Sequence, residues 1–201
     1  MVARFIQVIE GKVADEAGLR AAMDRWMRDV RPGATGWLGS TSDITDDGTF
    51  VTVVRFESEE AARRNSERPE QDAWWAETRK CFAGDVTFFD SSEVTTWLAG
   101  GSDDAGFVQV MAGHLPDPHL MRSTMEKYSD QVREMRPEII GATVATRPDG
   151  EYVQTVYFTS EAEAREGEHV PPPPEVAELM AEGMQDTRFL DLHHPTMTSP
   201  G

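Results

Sequence analysis

Two glutamines stand where a strand would bury them. Gln7 lies between Phe5-Ile6 and Val8-Ile9, and Gln109 between Phe107-Val108 and Val110-Met111, so each puts a carboxamide in the middle of an apolar run. A buried amide without a partner costs about 1–3 kcal/mol, so each must bond either to a neighbouring element or to a ligand. A carboxamide can orient a carbonyl or a phenol, but it cannot act as a base. Trp26, Trp37, Trp74 and Trp75, with Met23 nearby at helical spacing, supply large flat apolar surfaces. Such residues line a pocket for a planar ligand and equally well fill a core. Gln7, Met23, Trp26, Trp37, Trp74 and Trp75, with Gln109, are the candidate ligand-binding set, and the expected partner is a small hydrophobic or aromatic molecule.

Other chemistry finds weaker support in the spacing. His193 and His194 are adjacent on an extended segment and point to opposite sides, and no third ligand follows at metal spacing, so no metal site is expected. Cys81 sits beside Phe82 on an apolar helical side with no His in its own half of the chain, which argues against a nucleophile. His114 and His119, around Pro116 and Pro118, read as a solvated loop. No phosphate-binding glycine loop, G-x-S-x-G or C-x-x-C pattern occurs.

The elements that carry these residues appear when the chain is slid against itself. Phe5-Ile6-Gln7-Val8-Ile9-Glu10-Gly11 returns as Phe107-Val108-Gln109-Val110-Met111-Ala112-Gly113, an offset of 102 residues. Asp47-Gly48 recurs as Asp149-Gly150, Phe56-Glu57-Ser58-Glu59 as Phe158-Thr159-Ser160-Glu161, and Phe88-Phe89-Asp90 as Phe189-Leu190-Asp191. Arg31-Pro32 and Gly36 align with Arg136-Pro137 and Gly141 only after a shift of three residues. Leu19, Met23, Trp26 and Val30 make one helical stripe, repeated by Met121, Met125, Tyr128 and Val132. Strands are expected at Phe5 to Ile9, Trp37 to Thr41, Phe50 to Phe56 and Val86 to Phe89. Ser58 and Ser160 are placed to cap second helices, which are interrupted at Pro69 and at Pro171 to Pro174. The second helix of copy two carries Val176, Leu179, Met180 and Met184.

Each copy therefore reads as β-α-β-β-α-β, the ferredoxin-like order, in an α+β fold. Helices on one face leave the other uncovered, so the two sheets are expected to pack face to face as an intramolecular pseudo-dimer. The domains are placed at 1–99 and 105–194, with linker 100–104 and tail 195–201.

Of the 201 residues, 36 are acidic and 19 basic, a net charge of −17. Such a surface repels phosphate backbones and anionic membranes, so neither nucleic acid nor membrane is an expected partner. No apolar stretch approaches the about 18 residues of a membrane span. One cysteine and a first segment without signal-peptide character place the protein in a reducing cytoplasm.

The run Phe50-Val51-Thr52-Val53-Val54-Arg55-Phe56-Glu57-Ser58-Glu59-Glu60-Ala61, with Phe5 to Glu10, resembles the third-strand-to-second-helix and first-strand motifs of the antibiotic-biosynthesis-monooxygenase-like domains of the dimeric α+β barrel superfamily. The resemblance implies a tandem-duplicated barrel. It spans cofactor-independent oxygenases of polyketide-like aromatics, haem-degrading enzymes and members without assigned activity. In the haem degraders the ligating His falls opposite Trp74 and near Val176, neither of which can bind iron, so no cofactor is expected. Three functions follow in order: a small-molecule-binding protein with a hydrophobic pocket in copy one, a cofactor-independent monooxygenase of aromatic polyketide-like or quinol substrates, and a structural or interaction protein. Further homodimerisation is left open.

Overall fold

The computed structural model describes residues 3–98, 100–183 and 186–200, and Met184 lies outside them. Two compact units divide the chain, one formed by residues 3–92 with 198–200 and the other by the described residues of 93–197.

In the first unit, β1 (Phe5–Lys12) leads to α1 (Glu16–Arg25), which continues through a π-helical turn, Trp26–Val30, and a 3₁₀ turn, Arg31–Gly33. β2 (Trp37–Ile44) and β3 (Thr49–Phe56) follow as a hairpin, then α2 (Glu59–Ser66), α3 (Pro69–Thr78) and β4 (Thr87–Ser91). The start signals work as expected. Asp15 Oδ1 accepts from the Gly18 amide at 2.9 Å, and Ser58 Oγ accepts from the Ala61 amide at 3.2 Å. These bonds satisfy amides that have no partner within the first turn. Pro69 starts α3 at a position where its missing N–H costs nothing.

The second unit begins earlier than the repeat implies. β5 (Glu93–Leu98) precedes β6 (Phe107–His114), α4 (Pro118–Met135), β7 (Ile139–Thr146), β8 (Glu151–Phe158), α5 (Glu161–Gly167), α6 (Pro174–Gly183) and β9 (Arg188–Leu192). α4 is capped by Asp117, whose carboxylate accepts from the amides of His119 and Leu120. His114 thus ends a strand and His119 sits in the first turn of a helix, rather than both lying in a loop.

Each sheet has five strands, not four. The orders are β10-β2-β3-β1-β4 and β5-β7-β8-β6-β9, where β10 is Thr196–Thr198. Residues 93–98, expected at the end of copy one, pair antiparallel with β7, and residues expected as a tail form β10 beside β2. The reason is hydrogen bonding: β2 and β7 would otherwise present unpaired backbone edges. Thr198 Oγ1 and Ser40 Oγ lie 2.6 Å apart at this seam.

Both β2 and β7 carry a bulge at one repeat position, between Trp37 and Gly39 and between Ile139 and Gly141. Gly39 therefore matches Gly141 at the ordinary offset, which corrects the pairing of Gly36 with Gly141. A Cβ on Gly39 would stand 2.7 Å from the Thr198 carbonyl oxygen, and one on Gly141 would collide with that of Gly100. Glycine is required because the added strand's backbone passes there. Gly39 also holds φ at 132°, where a side chain is strained. Gly39→Ala is expected to cost about 2 kcal/mol and to lower the thermal midpoint by about 4–8 °C, measured by calorimetry.

Candidate functional site

Pairing in β1 decides which side chains share a face. Phe5 stands opposite Phe56, Gln7 opposite Val54 and Ile9 opposite Thr52, while Trp37 and Ser40 of β2 stand opposite Phe56 and Val54. Side chains alternate along each strand, so these residues lie on one side of the sheet, with the helices of the unit. Two apolar clusters form between them. Phe5, Trp26, Val30, Trp37 and Phe56 gather with Trp74 at one end, and Leu19, Phe50, Cys81 and Phe82 with Met23 and Trp75 at the other.

Between the clusters is a cavity of about 70 Å³ lined by Gln7, Met23, Trp26, Trp37, Trp74 and Trp75. Phe50, Thr52, Val54, Asn65, Gln71 and Phe82 complete much of its wall. Six of the seven candidate residues thus come together. The seventh, Gln109, belongs to the second unit.

The helical roof is held by its own polar contacts. The Trp74 indole N–H donates to the Ala22 carbonyl at 2.7 Å, tying α3 to α1. The Trp26 indole N–H donates to Gln71 Oε1 at 2.8 Å, a bond that runs from the π-helical turn to α3. Trp26 meets Trp37 edge-on at 5.2 Å and Trp74 at 6.4 Å between ring centroids. Such contacts add about 0.5–1.5 kcal/mol each beyond the apolar area buried. Trp75 is half-buried and meets Phe88 of β4 at 5.4 Å, so this ring closes the outer wall.

Gln7 and Gln109 are half-buried rather than buried as their apolar runs suggest, and Gln7 has a protein partner. Its Nε2 donates to Asp90 Oδ1 at 2.9 Å, directly across from it on β4. Gln109 donates to Asp191 in the same way, also at 2.9 Å. Asp90 was identifiable from the repeat, in which Phe88-Phe89-Asp90 returns as Phe189-Leu190-Asp191. Thr52 was identifiable from strand alternation with Phe50, Val54 and Phe56.

The two units treat this pair differently. In the second, Arg165 Nη2 binds Asp191 Oδ2 and the guanidinium stacks over Phe107 at 5.1 Å. The hydrogen bond to Asp191 pushes the Arg165 pKa further upward. Its counterpart Arg63, one repeat earlier, instead pairs with Glu67 on the surface of α2. Trp97 packs on the second unit's cluster of Phe107, Ala142, Val156 and Phe158. A tryptophan encoded in the first hundred residues thus fills the second unit.

His193 reaches back to the start of α5. Its Nδ1 lies 2.8 Å from Glu161 Oε2, a hydrogen bond that holds the Glu161 carboxyl below its ordinary range. Cys81 is buried, and burial first, with the Asp15 charge second, pushes its thiol upward. Less thiolate forms at neutral pH, and the sulfur is hard to reach. In the native protein at pH 7.5 (about one unit below a free thiol's pKa), a chromogenic disulfide is expected to react with Cys81 at least about tenfold more slowly than in denaturant.

No protein-family model and no curated protein matches the chain. Among solved structures, a Lactobacillus acidophilus protein provisionally named a monooxygenase superposes with a TM-score of 0.73 at 14% identity, covering 100% of this chain and 98% of its own. An anthrone oxidase-like protein superposes with a TM-score of 0.65 at 10% identity, covering 100% and 96%. A Listeria monocytogenes ferredoxin-fold protein related to antibiotic biosynthesis monooxygenases gives 0.51 at 11% identity, covering 100% and 96%. Together with the repeated element order, these matches show that the chain carries a ferredoxin-like α+β fold twice over.

Proposed function

We propose that the chain binds a small, largely apolar ligand in the cavity of its first unit. The convergence of Gln7, Met23, Trp26, Trp37, Trp74 and Trp75 on one space supports this reading most directly. The indole bonds to Ala22 and Gln71 keep the roof in place without an occupant, so binding does not have to order it. Size restricts the ligand. A dry cavity of about 150 Å³ accepts benzene, and this one measures about 70 Å³. One ring enters if half-buried Met23 or Trp75 moves outward.

The second reading is a cofactor-independent monooxygenase of aromatic polyketide-like or quinol substrates. It needs a base that a carboxamide cannot be, and the Asp90 carboxylate, exposed and bonded to the lining residue Gln7, is the candidate for that role. The full-length likeness to an anthrone oxidase-like protein points the same way. In such a reaction Asp90 takes a proton from the activated ring. The ring then reduces oxygen, one oxygen atom replacing two hydrogens at carbon and the other leaving as water.

Calorimetric titration with toluene is expected to show saturable binding to the wild type and none to Ile9→Phe, whose larger side chain occupies the cavity. Absence of binding to the wild type defeats the proposal. Oxygen consumption with anthrone or a quinol separates the second reading: turnover that falls by about 100-fold or more in both Gln7→Leu and Asp90→Asn supports it, an effect within the range of general-base removal.

A further inference from the structure

One segment of the first unit's roof departs from a regular helix. The Arg31 amide donates to the Trp26 carbonyl, five residues back instead of four, so Trp26–Val30 forms a π-helical turn at the end of α1. Such turns are rare and hold one residue more than an α-helical turn. The extra residue decides where Trp26 points, because removing it rotates one side of the helix against the other by about 100°. Trp26 is buried and lines the cavity.

Three bonds from one side of α3 hold this segment. Trp74 donates to the Ala22 carbonyl, Gln71 accepts from the Trp26 indole, and Arg68 Nη2 donates to the Val30 carbonyl at 3.0 Å. Arg68, Gln71 and Trp74 are three apart and their targets four apart, so the bonds follow one stripe of each element. Arg68 is the outer member. It precedes Pro69 at the start of α3, and its Nη1 donates at 3.0 Å to Oδ1 of Asn65, a buried residue of the cavity wall. Carbonyls at a helix end lack partners within the helix, and Arg68 supplies one for Val30.

Among the described residues the second unit has no such set. One repeat later stand Val170, Pro173 and Val176, whose side chains make no hydrogen bond, and α4 runs from Pro118 to Met135 as an unbroken α-helix. Tyr128 and Val132 there are half-buried, whereas Trp26 and Val30 at the same repeat positions are buried. Bonds, π-helical turn and packed wall thus occur together in the first unit.

Resting on the reading of this cavity as a ligand site, we infer that Arg68 is a positioning residue: by bonding the Val30 carbonyl it holds the π-helical turn, and the turn places Trp26 in the wall. Arg68 does not line the cavity. Ligand affinity depends on it through the share of molecules in which the turn is formed.

Two variants of the full chain test this. Arg68→Met keeps the length of the side chain and removes its donors. Gly33→Ala keeps Arg68 but sets a methyl group against its guanidinium, in a 3₁₀ turn whose backbone alanine also adopts. In both, toluene affinity measured by calorimetry is expected to fall about tenfold, as when the turn is formed in about one molecule in ten. The near-ultraviolet circular dichroism of the free protein, to which the Trp26 and Trp37 rings 5.2 Å apart contribute, is expected to change as well. Affinity retained by either variant in its folded form, or reduced with no change in dichroism, overturns the inference and leaves the cavity as a ligand site. No binding of toluene to the wild type defeats the cavity reading, and the dichroism then decides the role of Arg68: a spectrum unchanged in both variants overturns it. Should Arg68→Met fail to fold, Gly33→Ala decides alone, since it removes no bonding group.

Discussion

A half-buried side-chain amide in the middle of a strand of apolar residues is held to one face by a carboxylate directly across the ladder in both units. The Gln7–Asp90 and Gln109–Asp191 pairs have the same length and the same register. Because side chains alternate, fixing which face Gln7 occupies also fixes Phe5 and Ile9, and through strand pairing Thr52, Val54 and Phe56. A slip of one residue would carry the whole set to the opposite side. There Ile6, Val8, Val51 and Val53 are buried beside Arg55, Thr41 and Ser91, so the slip would also carry those polar groups to the helix-covered side.

From this shared arrangement the units have diverged by what they add over the pair. In the second, Arg165 covers Asp191 and Phe107, while Trp97 packs on Phe107, Ala142, Val156 and Phe158. In the first, the equivalent arginine turns outward to Glu67, and four tryptophans surround a space instead of filling it. The large aromatic side chains are therefore both core and wall. Their hydrogen bonds to Ala22 and Gln71 allow Trp74 and Trp26 to remain in place around unfilled volume.

Much of this was legible in the residues. The 102-residue offset, the helical stripe from Leu19 to Val30 and the Ser58 and Ser160 caps are local patterns, and local patterns carry the element order. Residue type and spacing also singled out six cavity residues, the amide Gln7, Met23 and four tryptophans. Strand exchange was not legible. Glu93 to Leu98 reads as a strand, but nothing nearby says that its partner is β7, and Thr196-Met197-Thr198 is too short to register as a strand at all. Pairing over such separations is specified by which edges remain open, not by periodicity. Thr52 is an ordinary strand residue, and alternation with Phe50, Val54 and Phe56 gives only the face it occupies.

The position of β10 bears on how the protein is made. Residues that complete the sheet beside β2 lie about 150 positions downstream of it, and at about 5–20 residues per second that separation is roughly 8–30 s of translation. During this interval the bulged edge around Gly39, with Ser40 and Ser42, faces the cell without its final strand. Twist from the bulge and the scarcity of large apolar side chains along that edge are the features that discourage pairing with another nascent chain. The first unit to be synthesised is thus the last to be finished.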